Sequence, residues 1–374
     1  MTGYYIPSIK GGGPIRSIKN LVDSLSDKAD FYIITSDRDL GDNEPFSNIE
    51  TDEWVQVGNA NVLYINTSKL TWLKMEKIIN SLNFDMIYLN SFFSYKYSFM
   101  PVMLRRMKRI PKTPIVIAPR GEFSPGALKL KNEKKKIYIF FTKILGVYND
   151  ILWHGTTETE KYHIKQIFNT SKIIIANNLT EDYSMLNYKK KIEKKKGKLK
   201  IVFVSRIHPK KNLTKSIELL NKINGEIEFN IYGPIEDEGY WMRCKKMIQE
   251  LPQNIKVVYR GILSHAQVRE VFMEHHVFLF PTLGENYGHV ISEALIGGCP
   301  VIVSDRTPWN NLEKKQVGWD IPLKNDDKFI EVLNYCLQLN QDEYEKIAKR
   351  AFSFGKERSL NPNDKIDTER LFNI

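Results

Sequence analysis

Apolar residues in this chain come in short runs separated by amphipathic stretches, and the two patterns alternate along most of its length. FYIITSD (31–37), NVLYIN (61–66), FDMIYLN (84–90), TPIVIAPRG (113–121), ILWHGTT (151–157) and KIIIANN (172–178) each end in turn or polar residues, as strands do. Between them, IRSIKNLVDSLS and TWLKMEKIINSLN repeat their apolar positions at helical spacing. Strands alternating with helices predict a parallel α/β domain. Periodicity lapses over 181–198, where lysine dominates, and a second series follows: LKIVFVSRI, IEFNIYGP, IKVVYRGIL, HHVFLFPT and CPVIVSD. The pattern predicts one α/β domain over 1–180, a linker over 181–198, a second α/β domain over 199–355 and a helical tail over 356–374.

A length of 374 residues suits two domains that each bury a core, and 42% hydrophobic with 26% charged residues suits a globular protein. The cysteines at 244, 299 and 336 show no CxxC spacing and read as reduced thiols of a cytosolic protein. No signal peptide is visible, and no apolar run approaches the ~20 residues of a spanning helix. The net charge of +11 matters more by position than by size. Thirteen Lys/Arg between Lys96 and Lys143 face only Glu122 and Glu133. Here NSFFSYKYSFMPVMLRRMKRI interleaves aromatic residues with Arg105, Arg106, Lys108 and Arg109, and Lys134, Lys135 and Lys136 follow. Such a surface suits anionic lipid headgroups. No recognition motif for nucleic acid accompanies it, and no nucleic-acid partner is expected. The second cluster, YKKKIEKKKGKLK (188–200), reads equally well as compositional bias.

The richest chemistry lies in FPTLGENYGHVISEALIGGCPVIVSD (280–305). A strand, a glycine loop, a short helix and another strand form a βαβ unit, whose loop–helix junction favours anionic ligands. Glu285 sits in the loop and Glu293 lies eight residues on, in the helix. A loop carboxylate can accept from sugar hydroxyls, and one in the helix can reach a ribose. Upstream, SRIHPKKNL (205–213) places Arg206 and Lys211 at one loop mouth after the strand IVFV. Lys10-Gly11-Gly12-Gly13-Pro14 opens an amphipathic helix, where glycines let backbone amides approach a phosphate. A flexible terminal loop is the plain alternative.

The 280–305 block, with its E-x7-E spacing and TPW that follows, resembles the retaining GT-B glycosyltransferases of the GT4 family, of the surface-polysaccharide and O-antigen type. The resemblance covers nearly the whole chain and is most specific from Ser205 to Trp309. It implies a GT-B fold: two Rossmann-like domains facing across a cleft, with the C-terminal helix crossing back to the first. It also implies that Arg206 and Lys211 neutralise the donor pyrophosphate, that Glu293 holds the ribose, and that Glu285 orients the transferred sugar. Asn286, Tyr287, Gly288 and His289 would offer backbone amides, Gly233, Gly261 and Ile262 would frame the base, and Gly12 and Gly13 would close over the diphosphate. Many relatives carry PHG where this chain has Pro119-Arg120-Gly121, so a sugar-contacting role passes only weakly to Arg120, grouped with Glu285, Arg206 and Lys211 as catalytic. Glu122 is a candidate acceptor contact.

Relatives normally open with a hydrophobic strand before the glycine loop, whereas Met1 falls almost at that loop, so the first strand is expected to be absent or nearly so. Asp37-Arg38-Asp39 fits a D-x-D metal motif, but its place after a strand reads as a solvated turn, and no metal or cofactor is expected. His154 reads as a structural histidine. The expected function is transfer of a hexose or N-acetylhexosamine from a nucleotide sugar (UDP-GalNAc, UDP-Gal or UDP-GlcNAc favoured) to a lipid-diphosphate-linked saccharide, at the cytoplasmic face of the membrane. The rivals are a non-hydrolysing UDP-sugar 2-epimerase and a non-catalytic membrane-associated scaffold.

Overall fold

In the computed structural model, which describes residues 1–129, 132–189 and 192–373, the chain forms two units. Met1–Thr180 with Pro362–Ile374 make the first, and Glu181–Asn361 the second. Lys131, Lys190 and Lys191 of the basic runs lie outside the described residues.

In the first unit, β1 (Phe31–Ser36), β2 (Trp54–Val57) and β3 (Ala60–Ile65) form one sheet in the order β1-β3-β2. β4 (Ile87–Asn90), β5 (Ile115–Ala118), β6 (Leu152–Gly155) and β7 (Ile173–Ile175) form another in chain order, all parallel. β2 pairs antiparallel with β3 at the edge; its four residues, WVQV, give too short an alternation to register in the sequence. The missing first strand is present as a stub. Met1–Gly3 runs between β1 and β4: Thr2 N donates to Ile34 O (3.1 Å), Ser36 N to Gly3 O (3.3 Å), and Asn90 N to Met1 O (3.0 Å). Thr2 also forms a parallel bridge with Asn90. The stub therefore joins the two sheets, and the glycine loop leaves from its end into the helix Gly13–Leu25. Beneath the sheet, Trp153 and Phe92 are fully buried among Phe123, Tyr148 and Phe168, with ring centroids 4.8–5.9 Å apart. Edge-on and tilted aromatic packing of this kind adds to the area burial that holds the layer together.

In the second unit, β8 (Lys198–Val204), β9 (Glu226–Tyr232), β10 (Ile255–Tyr259), β11 (Val277–Phe280), β12 (Val301–Ser304) and β13 (Gly318–Ile321) form one parallel sheet, ordered β10-β9-β8-β11-β12-β13. This is the doubly wound Rossmann order, and the strand order reverses between β8 and β11. Both faces are covered, which is why β11, β12 and the IVFV end of β8 read as apolar runs. β13, Gly-Trp-Asp-Ile, carries a charge at its centre and escapes sequence detection. Cys244, Cys299 and Cys336 are all buried, and all three are free thiols.

The helix Gln341–Ser359 runs without interruption past residue 356, and the tail breaks only before Pro362, the first residue of the helix Pro362–Phe372. Proline lacks the N–H that an interior position would need and fits the first helical turn. This last helix packs on the first unit's sheet. Leu371 is buried with Val116 and Ala176, and the Phe372 ring stacks on Tyr88 at 5.4 Å.

Candidate active site

Ligands of open α/β sheets bind beyond the carboxyl ends of the strands where the strand order reverses. In the second unit that point lies between the ends of β8 and β11, and the loops leaving these strands carry Arg206, Lys211 and Glu285. Lys211 Nζ and Glu285 Oε1 form an ion pair, with side chains only 13% and 12% exposed. Lys211 also lies 5.7 Å over the Phe280 ring. The pair is framed from below by Thr282, wholly buried, whose Oγ1 donates to Lys210 O (3.1 Å) while its carbonyl accepts from Ser304 Oγ (2.6 Å). One threonine thus ties the Arg-Lys loop to the ends of β11 and β12. Asn212, in the left-handed region, adds a bond from Nδ2 to Pro281 O (2.8 Å). Glu285 N donates to Arg306 O (3.0 Å), so its backbone is fixed, while its Oε2 takes no hydrogen bond from the described residues.

Arg206 leaves β8 and pairs with Glu236 at 2.7 Å. Glu236 lies on the loop after β9, which stays bonded to the Arg206 loop through Ile207 N to Pro234 O (2.8 Å) and Glu236 N to Ile207 O (3.2 Å). Between the two cations stands His208, whose Nδ1 accepts from Lys210 N (3.1 Å). Burial lowers the His208 pKa, with Arg206 and Lys211 pushing the same way against Glu236 and Asp237. Neither Glu236 nor His208 was legible as a site residue, because each becomes one only through a contact that folding creates.

Glu293 and His289 are both buried in the helix His289–Ile296, which begins at Gly288, itself in the left-handed region. Tyr287 packs at a tilt against His289 with ring centroids 4.7 Å apart, and its carbonyl accepts from Trp309 Nε1 (2.7 Å), so TPW braces the loop. This leaves Asn286 and Tyr287 at the mouth of a helix whose first N–H groups have no intrahelical acceptors. Gly233 serves another purpose than the expected ligand contact. Its N–H donates to Gly261 O (2.8 Å) and its carbonyl accepts from Tyr259 OH (2.8 Å), so both backbone groups are used. At φ 136°, a Cβ there would lie 1.9 Å from Ser205 O, so only glycine lets the ends of β8 and β9 meet. Gly261 is also left-handed, and Ile262 beside it is exposed.

Residues 184–354, nearly all of this unit, match the family described as Glycosyl transferases group 1. The family match falls on the second unit. The 41.2 kDa protein of the cps region of Klebsiella pneumoniae is 25% identical over 248 residues, 64% of this chain and 66% of that protein. The gpi3 subunit of phosphatidylinositol N-acetylglucosaminyltransferase from Schizosaccharomyces pombe is 29% identical over 165 residues, 41% of this chain. That match spans only 33% of the yeast protein. The crystal structure of Anabaena Alr3699/HepE in complex with UDP-glucose superposes with a TM-score of 0.70 at 13% identity, covering 100% of this chain and 99% of that one. The fold is therefore GT-B.

The first unit holds the remaining candidates. Gly12, left-handed, and Gly13 open the helix Gly13–Leu25. Asp37 and Asp39 are buried, which corrects the reading of a solvated turn. Asp37 chelates Arg38 Nε (2.8 Å) and Nη2 (3.0 Å). Asp39 clasps the glycine loop, accepting from Ser8 Oγ (2.5 Å), Ile9 N (2.8 Å), Lys10 N (3.1 Å) and Leu40 N (2.7 Å). Replacing Asp39 by alanine strands these donors and is expected to cost roughly 1–3 kcal/mol of first-unit stability. Hydrogen exchange at residues 8–13 should then speed up by at least about tenfold; unchanged protection at Ile9 and Lys10 would refute the clasp.

Arg120 lies at the carboxyl edge of β4 and β5. It donates from Nε to Asn90 Oδ1 (2.7 Å), from Nη2 to Tyr88 OH (2.8 Å) and from Nη1 to Asn178 Oδ1. Its hydrogen-bond partners are all uncharged. Tyr88 OH in turn bonds His154 Nδ1 (2.7 Å), whose Nε2 reaches Ala176 O (2.7 Å), so His154 is structural. Glu122 is committed to the 91–93 loop, accepting from Ser91 Oγ (2.7 Å), Phe92 N (2.5 Å) and Phe93 N (3.3 Å), rather than poised for an acceptor.

The arginines expected to face lipid are also engaged. Arg105 donates to Thr113 O (3.0 Å) and Asp150 O (2.6 Å), Arg106 to Gly146 O (2.6 Å) and Leu145 O (3.2 Å), and Arg109 pairs with Glu76. Lys135 bonds Ala127 O (2.6 Å) over the Phe93 ring, whereas Lys108, Lys134 and Lys136 are exposed.

Proposed function

We propose that this protein is a retaining, metal-independent glycosyltransferase that uses a UDP-linked hexose or N-acetylhexosamine and a lipid-diphosphate-linked saccharide in surface-polysaccharide synthesis. The reading rests chiefly on Arg206 and the Lys211–Glu285 pair gathered at the strand-order reversal of a group 1 domain. The two cations stabilise the nucleoside diphosphate as its charge develops, the work a divalent ion does in other transferases. Glu285 Oε2 accepts from a hydroxyl of the transferred sugar, with Lys211 holding the carboxylate in place. Glu293 accepts from the ribose. With no enzymic nucleophile required, the acceptor hydroxyl attacks on the face the diphosphate leaves, its proton passes to the departing phosphate oxygen, and anomeric configuration is retained.

The UDP assignment is supported by the likeness to a protein solved with UDP-glucose. A lipid acceptor is supported by the likeness to a subunit of a phosphatidylinositol N-acetylglucosaminyltransferase, and a polysaccharide role by the likeness to a cps-region protein.

The test is incubation with UDP-GlcNAc, UDP-GalNAc or UDP-Gal, a polyprenyl-diphosphate sugar and EDTA, with the product's anomeric coupling read by NMR. An α-linked product is expected. A β-linked product would overturn retention, and a sugar nucleotide inverted at C2 without acceptor would make the protein an epimerase.

A further inference from the structure

The helix Asn132–Ile144 is apolar on two sides. Its inner row is conventional: Tyr138 OH bonds Tyr148 OH (2.5 Å), Ile139 packs on the first unit's core, and Thr142 is buried. The row facing water carries Ile137, Phe140, Phe141, Ile144 and, one residue beyond the helix, Leu145, each between 56 and 66% exposed. Their spacing of three, one, three and one sets them in a single stripe. Lone exposed apolar residues are ordinary, but a contiguous stripe of five on a water-facing helix side calls for a covering partner. The turn that ends the stripe is held rigid, because Arg106 grips the carbonyls of Leu145 and Gly146 and Arg105 that of Asp150. The basic segment thus has two roles: its arginines brace this turn, while Lys134, Lys136 and Lys143 stand exposed along the helix, opposed on it by Glu133 alone.

That rim of cations chooses among occupants. A second copy of the chain docking by the same face would oppose lysine to lysine, whereas an anionic bilayer accepts the apolar stripe at the acyl boundary and the lysines at phosphate level. Thirteen residues rise only about 20 Å, short of a hydrocarbon core of about 30 Å, so the helix would lie in the membrane plane. Among the described residues no helix is long and apolar enough to cross a membrane. We propose that the Ile137–Leu145 stripe is an in-plane anchor that seats the first unit on an anionic lipid surface. The proposal stands on this stripe and does not need the transferase reading.

The test is co-sedimentation of the full chain, without nucleotide sugar, with phosphatidylcholine vesicles containing or lacking about a third phosphatidylglycerol. Binding to the anionic vesicles is expected. Phe140→Ser with Phe141→Ser should weaken it by on the order of 100-fold. Lys134→Gln, Lys136→Gln and Lys143→Gln together should weaken it by a further ~10- to 100-fold, with its salt dependence lost. These side chains are exposed, and an unchanged thermal melt verifies the fold. Vesicle binding unaffected by the phenylalanine substitutions would overturn the anchor. So would a concentration-dependent dimer that those substitutions abolish, which would assign the stripe to a second copy.

Discussion

Replacing Lys211 with methionine is expected to lower the rate of sugar transfer by roughly a hundred- to a thousandfold, with a much smaller effect on nucleotide affinity. Lys211 is the cation proposed to meet the leaving diphosphate; it pairs with Glu285, and the pair is largely enclosed. Removing one member leaves the other charged and without its partner, which is also costly to the fold. Lys211→Met alone therefore confounds catalysis with stability. Combining it with Glu285→Gln separates them: the double variant should recover most of the lost thermal stability and none of the lost rate. If the double variant also recovers the rate, the pair is a structural bridge and the diphosphate clamp lies elsewhere.

Mild acid is expected to destabilise the protein well above the range where carboxylates titrate, and the second unit most. His154 is pushed down to about 3, chiefly by burial and next by Arg120, and His275 and His276 to about 4, chiefly by burial. Each neutral ring is fully used. His275 contacts Val271 O (2.6 Å) and Asn230 Nδ2 (3.0 Å), and His276 contacts Lys200 N (2.8 Å) and Glu193 O (3.1 Å). Protonation would put a hydrogen on a nitrogen that is already accepting one. The unfolded chain binds protons near pH 6.5 while the folded chain does not, so stability is constant above that pH and falls as pH drops towards 4. At pH 5 each histidine costs about 2 kcal/mol, or about 4 kcal/mol for the second unit, a large part of a typical domain's stability. Urea unfolding at pH 7, 6 and 5 should show this loss, and His154 should give the first unit about half of it. A flat profile down to pH 5 would mean that these rings are protonated in the folded state.

The strands that carry the site were legible because a parallel sheet covered on both faces writes itself as apolar runs, as β11, β12 and the IVFV end of β8 do. β13 was not, since Asp320 interrupts it to accept from Asn311 N and Leu312 N, a contact formed only in the fold. The same divide runs through the site. Arg206, Lys211 and Glu285 could be named because their loops follow recognisable strands at fixed offsets. The roles of Glu236, Thr282 and Asp39 could not be read, because they come from partners roughly 30 to 70 residues away. The basic segment was legible in part for a related reason: charge is visible in sequence, but the carbonyls that engage Arg105 and Arg106 are not.

In the proposed function, the second unit binds a uridine nucleotide through Glu293 and the Arg206–Lys211 loop. Calorimetric titration of UDP, GDP and ADP in EDTA, against the wild type and Glu293→Ala, tests it most directly. Selective binding of UDP is expected, weakened by roughly tenfold or more in Glu293→Ala. Equal affinity of Glu293→Ala for UDP, or binding of none of the three nucleotides, would contradict it.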